Sequence, residues 1–334
     1  ALADDGLWFT DATTNSESTE QSIPIMLTSA IPSYSVREET GLPIEDFESR
    51  NLLRLLDSGA GITVYQNFFN DCFVKTFRKC DLGSSKNPWD RVPGTNAWDR
   101  LPGIATLVFE RRLGTSGGWL VDELEARGLM PIQPGLFERP QKIPSLIADL
   151  ESQESSEIEG GVYYVHSPLP HPPYVYDASG SLVNHANTEW LEGGDFTATY
   201  ENYRAQSAFA DRRVGELMAT LKDKGVYENA VIVLTSDHGI RPWLDRMTDL
   251  QAKVPLIMKV PGVIPGIVET EYQHFDFLPT VLDLLGMEPP AGIAGRSAVS
   301  PGAAATPRTR LIYEWSEPIY EYAPDSGEWL SRSP

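Results

Sequence analysis

Cysteine is nearly absent: only Cys72 and Cys80 occur in 334 residues. Their spacing fits neither a zinc nor a redox motif. It leaves a small-loop disulfide in an exported protein or two unpaired thiols. Long apolar runs are missing too, since none approaches the ~20 residues that span a bilayer. No signal-peptide pattern is visible at Ala1-Leu2-Ala3-Asp4-Asp5, which says nothing of compartment. Basic residues are scarce, with 27 Lys+Arg against 47 Asp+Glu and a formal charge of −20. That balance excludes nucleic acid, or an anionic membrane held by bulk charge, while leaving room for a local cationic pocket. Neither Gly-rich phosphate loop of the nucleotide-binding folds is present.

What is present is ordinary material for a core, 41% hydrophobic residues, enough for one large α/β domain or two small ones. Leu7-Trp8-Phe9, Ile62-Thr63-Val64-Tyr65, Gly161-Val162-Tyr163-Tyr164-Val165, Ala230-Val231-Ile232-Val233-Leu234 and Val254 to Val260 read as strands. The 230–234 run is unbroken and β-branched, as in a strand covered on both faces. Helices are expected from Ile23, with Pro24 tolerable only in a first turn, and over 47–57, 203–224 and Phe277 to Leu285. Residues 80–104 read as loop and contain a near-repeat, Asn87-Pro88-Trp89-Asp90-Arg91 and Asn96-Ala97-Trp98-Asp99-Arg100. Two copies make no solenoid; they fit a surface loop pinned by tryptophans or a substrate-contacting insertion. The alternation of strands and helices predicts an α/β fold with a mostly parallel sheet covered on both faces.

The chemistry gathers at Thr235-Ser236-Asp237-His238-Gly239, at the carboxyl end of a predicted strand. Open α/β sheets place ligands there. Asp237 and His238 pair a hard oxygen with an imidazole, suited to a divalent cation. The alternative is a strand-end turn in which Asp237 caps the next segment. Gly239 lets the backbone turn away at once. His171 stands among prolines in Pro170-His171-Pro172-Pro173. His166 directly follows a strand and ranks behind it, His274 reads as structural, and His185 has no context.

Three segments in series resemble the sulfatase-type branch of the alkaline phosphatase superfamily over nearly the whole chain. They are Ser236-Asp237-His238-Gly239, then Val254-Pro255-Leu256-Ile257-Met258-Lys259-Val260-Pro261-Gly262, then Asp276-x-x-Pro279-Thr280 followed by Leu285-Gly286. The resemblance implies a three-layer, doubly wound, mostly parallel sheet. It also implies a catalytic domain over 1–300, with 301–334 an extension or the start of a small subdomain. Leu27-Thr28-Ser29 matches the segment about ten residues after the family nucleophile, which puts Thr19 at that position. Thr19-Glu20-Gln21-Ser22-Ile23-Pro24 resembles the T-x-x-S-x-P pattern of lipoteichoic-acid-synthase-like and phosphoethanolamine-transferase-like enzymes. True sulfatases carry C/S-x-P-x-R; Ile23 replaces that Arg, against formylglycine chemistry.

The resemblance therefore implies a metal-dependent phosphate-ester hydrolase or phospho-group transferase working through a phospho-Thr19 intermediate. Its alternatives are a sulfuric-ester hydrolase and a non-catalytic domain of the same fold. One divalent cation (Mn, Mg, Ca or Zn) is expected on Thr19, Asp237 and His238. His171 is expected to contact the transferred group or leaving oxygen. Arg241 is either a clamp for an oxyanion or a solvated, salt-bridged residue. The family's upstream acidic ligand has no match among residues 1–18, so weak cation binding is expected. The expected substrate is a small-molecule, lipid-linked or glycan ester, met outside the cytoplasm by a protein tethered through an upstream membrane domain.

Overall fold

Short β-branched runs separated by turn residues form the strands, and their period-two alternation decides which side chains meet which layer. The computed structural model describes residues 2–31, 50–57, 59, 61–66, 77–82, 142–171, 174–187, 196–240, 247–303, 308–314 and 317–332. The strands are β1 (Leu7–Phe9), β2 (Ala12–Thr13), β3 (Ile62–Tyr65), β4 (Lys79–Asp81), β5 (Val162–Val165), β6 (Tyr174–Tyr176), β7 (Leu182–Asn187), β8 (Ile232–Thr235), β9 (Leu256–Lys259), β10 (Gly266–Val268), β11 (Tyr272–Gln273), β12 (Leu311–Glu314), β13 (Glu317–Ala323) and β14 (Glu328–Ser331). The helices are α1 (Thr19–Thr28), α2 (Leu52–Leu56), α3 (Lys142–Ser152), α4 (Ser155–Ile158), α5 (Phe196–Asp223), α6 (Asp249–Ala252) and α7 (Phe277–Leu284), with a 3-10 turn at His274–Asp276 before α7.

The strands β4-β3-β5 are parallel, while β10-β1-β9-β8 is mixed, with β9 antiparallel to both its neighbours. One helix ties the two sheets together. Leu217 and Leu221 of α5 pack with Tyr163 and Val165 of β5 and with Ile232 and Leu234 of β8. The alternate residues Val162, Tyr164 and Val233 face the main core, which holds Ile23, Met26, Leu27, Leu53, Leu278 and Leu282 from α1, α2 and α7. The arrangement is helix, sheet, helix, the three-layer form expected of an α/β fold.

Several expectations are corrected. Pro24 lies inside α1, not in a first turn, because the helix begins five residues before it at Thr19. Proline has no N–H for the Glu20 carbonyl, and Glu20 is the one residue of α1 that is not buried. The strand expected at 230–234 runs 232–235 and is half-buried throughout, with Val231 exposed. Among the described residues its only ladder is to β9. The tryptophan near-repeat lies outside the described residues. Cys80 is disulfide-bonded and no described cysteine is free, which removes the unpaired-thiol alternative.

The antiparallel sheet β12-β13-β14 is fastened to the core by arginines. Arg308 forks onto Asp276 and Arg310 onto Asp11, and both reach Glu271, at 3.6 and 3.3 Å. Two-pronged pairs of this kind fix orientation as well as charge. Asn15 adds a neutral tie. Its Nδ2 donates to Gln273 Oε1 and the Leu311 carbonyl, each at 2.8 Å, and its Oδ1 accepts from the Phe275 amide at 3.0 Å.

Candidate active site

Two elements distant in sequence meet here: the first turn of α1 and the end of β8. Helix α1 is capped at Ser18 without a side-chain bond, so the Thr19 hydroxyl is not the cap of its own helix. It donates to Asp237 Oδ2 at 2.6 Å and stands 3.4 Å from His238 Nε2. His238 Nε2 is 3.6 Å from Asp237 Oδ2. His238 Nδ1 lies 2.7 Å from the Gly239 carbonyl. A carbonyl can only accept, so this bond assigns the proton to Nδ1 and leaves the Nε2 lone pair facing Thr19 and Asp237.

Asp237 is held at both ends. Its main-chain carbonyl accepts from Thr14 Oγ1 at 2.9 Å and from Ser22 Oγ. Ser22 is three residues after Thr19, on the same face of α1. Burial alone would raise the Asp237 carboxyl. The imidazoles of His238 and His166 and the Thr19 hydrogen bond outweigh it and hold the group below the usual carboxylate range. Asp237 is therefore ionised at neutral pH and can accept the Thr19 proton's hydrogen bond.

Gly239 is needed for a different reason from the one expected. Its φ is not positive, but a Cβ there would lie 2.4 Å from the Leu250 carbonyl oxygen and 2.5 Å from that of Gln251. The glycine permits close approach of the turn to α6, and its amide donates to the Gln251 carbonyl at 3.2 Å.

The structure thus brings Thr19, Asp237 and His238 together. His171 is fixed at its main chain, its amide donating to the Pro168 carbonyl (2.7 Å) and its carbonyl accepting from Gln206 Nε2 (3.0 Å). The imidazole that adjoins the trio from β5 is His166, with Nε2 4.0 Å from Asp237 Oδ2. His166 ranks behind His171 in the sequence, yet it follows a strand end just as Asp237 does, and that shared position is the sequence signal for it. Arg241 lies outside the described residues.

Residues 157–287, from α4 through β8 to the end of α7, match the sulfatase family model. That part of the chain resembles the sulfatases. Arylsulfatase K of Danio rerio is 36% identical over 104 residues, covering 29% of this chain and 20% of that protein. Lipoteichoic acid synthase 1 of Bacillus subtilis is 30% identical over 173 residues, covering 47% and 25%. The matches thus span only about a fifth to a quarter of these relatives. Among solved structures, the phosphonate monoester hydrolase of Silicibacter pomeroyi superposes with a TM-score of 0.52 at 20% identity, covering 92% of this chain and 71% of that one. The lipoteichoic acid synthase LtaP of Listeria monocytogenes gives 0.53 at 15% identity, covering 98% and 75%. At such identities the likeness establishes the fold, which is that of the alkaline phosphatase-like sulfatases.

Thr19, Asp237 and His238 present donors of the kinds that a divalent cation takes. Thr19 Oγ1, Asp237 Oδ2 and His238 Nε2 lie 2.6, 3.4 and 3.6 Å from one another. Those spacings suit ligands of one ion with metal–donor bonds of roughly 2.0–2.6 Å. The donors fit in kind and spacing but are few: among the described residues no group of three His, Cys, Asp or Glu forms a metal cluster.

Proposed function

We propose that this chain is the catalytic part of a metal-dependent phosphate-ester hydrolase or phospho-group transferase, with Thr19 as nucleophile. The observation that carries the reading is the 2.6 Å contact between the Thr19 hydroxyl and Asp237 Oδ2, at the start of a helix and the end of a strand. A divalent ion on Thr19, Asp237 and His238 would lower the pKa of the hydroxyl and offset charge on phosphoryl oxygens.

The chain's own residues supply the rest. Asp237 accepts the hydrogen bond that orients the Thr19 hydroxyl. The N-terminus of α1, the positive end of the helix dipole, favours an anionic group at that spot. Thr19 Oγ attacks phosphorus in line, its proton passes to Asp237 Oδ2, an Oγ–P bond forms, and the ester O–P bond breaks. The departing oxygen takes a proton from His171 in this reading, a role suited to an imidazole near neutral pH. Water or an acceptor alcohol then attacks the phospho-Thr19 and gives its proton to His171, and the Oγ–P bond breaks as Thr19 Oγ takes back the proton from Asp237, which restores the hydroxyl.

The relatives named arylsulfatase and choline-sulfatase point to sulfuric esters. Thr19 cannot be oxidised to formylglycine, and Ile23 stands where sulfatases carry Arg, so the phosphate reading takes precedence. The substrate class is a small-molecule, lipid-linked or glycan ester. The disulfide at Cys80 supports an extracytoplasmic setting. The test is mass spectrometry of protein quenched during turnover of p-nitrophenyl phosphate. A phosphoryl group on the peptide bearing Thr19 is expected. Steady turnover in a Thr19→Ala protein would sink the assignment.

A further inference from the structure

Beneath the site lies a buried imidazole that the mechanism does not use. His274, in the 3-10 turn before α7, is wholly buried. Its Nδ1 is 3.0 Å from Ser22 Oγ, its Nε2 makes no hydrogen bond of normal geometry, and the ring also meets the main chain of Ser236. A buried N–H without an acceptor costs more than a lone pair without a donor, so the proton belongs on Nδ1. His274 then donates to Ser22. The single Ser22 proton goes on to the Asp237 carbonyl.

We propose that His274 is a positioning residue, acting through Ser22 to set where Asp237 presents its carboxylate to Thr19. This rests on the reading of Thr19 as nucleophile. The direction of the relay carries the argument. The Ser22 hydroxyl has three neighbours: the Asp237 carbonyl, His274 Nδ1, and Thr14 Oγ1 at 3.3 Å. A proton donated by His274 takes up one Ser22 lone pair and turns the Ser22 O–H toward Asp237. Without it the hydroxyl is free to rotate toward Thr14 or into the vacated space. The Asp237 carbonyl would then keep only Thr14. Carbonyl and carboxylate share one Cα, so a slack carbonyl lets Oδ2 drift from Thr19. Burial, the largest influence, pushes the His274 pKa down to about 4. The ring therefore stays neutral, as the relay needs.

The experiment compares the full chain as wild type, His274→Leu, His274→Asn and Ser22→Ala. The Asn amide can donate from the place of Nδ1, while Leu fills the space without donating. With p-nitrophenyl phosphate, kcat is expected to fall roughly 10–100-fold in His274→Leu and Ser22→Ala, the usual scale for groups that orient a reacting side chain. KM stays near the wild-type value, and His274→Asn recovers most of kcat. A purely structural role would lower Leu and Asn alike. Equal loss in both, or undiminished kcat in Ser22→Ala, overturns the proposal. Crystal structures of the same proteins separate its failure from that of the functional reading. If wild type turns over nothing, the functional reading fails. The relay still stands if the Thr19–Asp237 contact survives in Asn and opens beyond hydrogen-bond range, about 3.5 Å, in Leu. An unchanged contact in Leu overturns the relay while wild-type turnover leaves the functional reading standing.

Discussion

Thr19 and Asp237 are 218 positions apart in the chain, yet Thr19 Oγ1 lies 2.6 Å from Asp237 Oδ2. The same helical face that brings Thr19 to the carboxylate brings Ser22 to the carbonyl of the same aspartate. Helix α1 is buried along nearly its whole length, so the position of the reacting hydroxyl is set by core packing. A helix with few alternatives holds such geometry better than a loop does.

Thr19→Ala should abolish turnover of p-nitrophenyl phosphate while the protein stays folded. The covalent route goes with the hydroxyl. The stability cost is that of one hydrogen bond to a charged group, about 1.5–3 kcal/mol. Initial rates and urea unfolding measure the two effects. Near-normal rates would remove Thr19 from the mechanism, and complete unfolding would show that α1 depends on this bond.

Much of this fold is legible in the sequence where local pattern and tertiary environment agree. Ile62–Tyr65 and Leu7–Phe9 form strands over the residues expected, and Phe277–Leu284 forms the apolar helix expected from Phe277 to Leu285. The Asp237-His238 pair could be placed from strand-end logic alone. Thr19 could not, because a Thr opening a helix looks the same whether or not an aspartate 218 residues away faces it. The antiparallel course of β9 is equally hidden, since Leu256–Lys259 reads as a strand in either direction. His166 and His274 differ from ordinary buried histidines only by what lies across the fold, His166 by Asp237 and His274 by Ser22.

His171→Ala should lower the rate by roughly 10²–10⁴-fold, the scale of general acid–base help, with metal content unchanged. The loop that carries it is pinned at Pro168 and Gln206, which fixes the main chain from which the ring projects. His166→Ala is the informative companion. A larger loss there would move the acid role to the imidazole that adjoins Asp237.

Dialysed protein should retain well under one equivalent of divalent metal. Three donors, only one of them a carboxylate, form a thin set for Mn, Mg or Ca, whose affinity rises with ligand number and charge. Added Mn²⁺ should raise the unfolding midpoint only at high concentration, since stabilisation follows the ratio of free ion to its dissociation constant. Elemental analysis showing one tightly held ion per chain, with a carboxylate from residues 1–20 among its ligands, would contradict this.

Stability should fall as pH drops from about 6.5 to about 4, because of His274. Burial pushes its pKa down from 6.5 to about 4. Between those values the unfolded chain holds a proton on this ring and the folded chain does not, so acid favours unfolding. The loss is on the order of 3 kcal/mol, complete near pH 4. The depressed pKa of Asp237 acts in the same direction but only below its ordinary 3.8. Urea unfolding at pH 7.5 and 4.5 should show a smaller difference for His274→Asn than for wild type. Equal differences would mean that the ring titrates normally in the folded protein.

Gly239→Ala should damage both stability and rate, and Gly266→Ala neither. At 239 the new methyl would stand 2.4 Å from the Leu250 carbonyl oxygen and 2.5 Å from that of Gln251. Both neighbours are backbone and cannot swing aside as a side chain would, so α6 or the turn itself must move. Overpacking of this kind costs typically 1–3 kcal/mol. The turn carries Asp237 two residues earlier, and a displacement of about 1 Å at a reacting group costs on the order of 10²-fold in rate. At 266, on β10, a Cβ meets nothing within 4 Å, so this variant controls for the general effect of replacing glycine. Thermal unfolding and kcat for p-nitrophenyl phosphate distinguish the two sites. If Gly239→Ala matched Gly266→Ala in both, the approach of the turn to α6 would not govern where Asp237 stands.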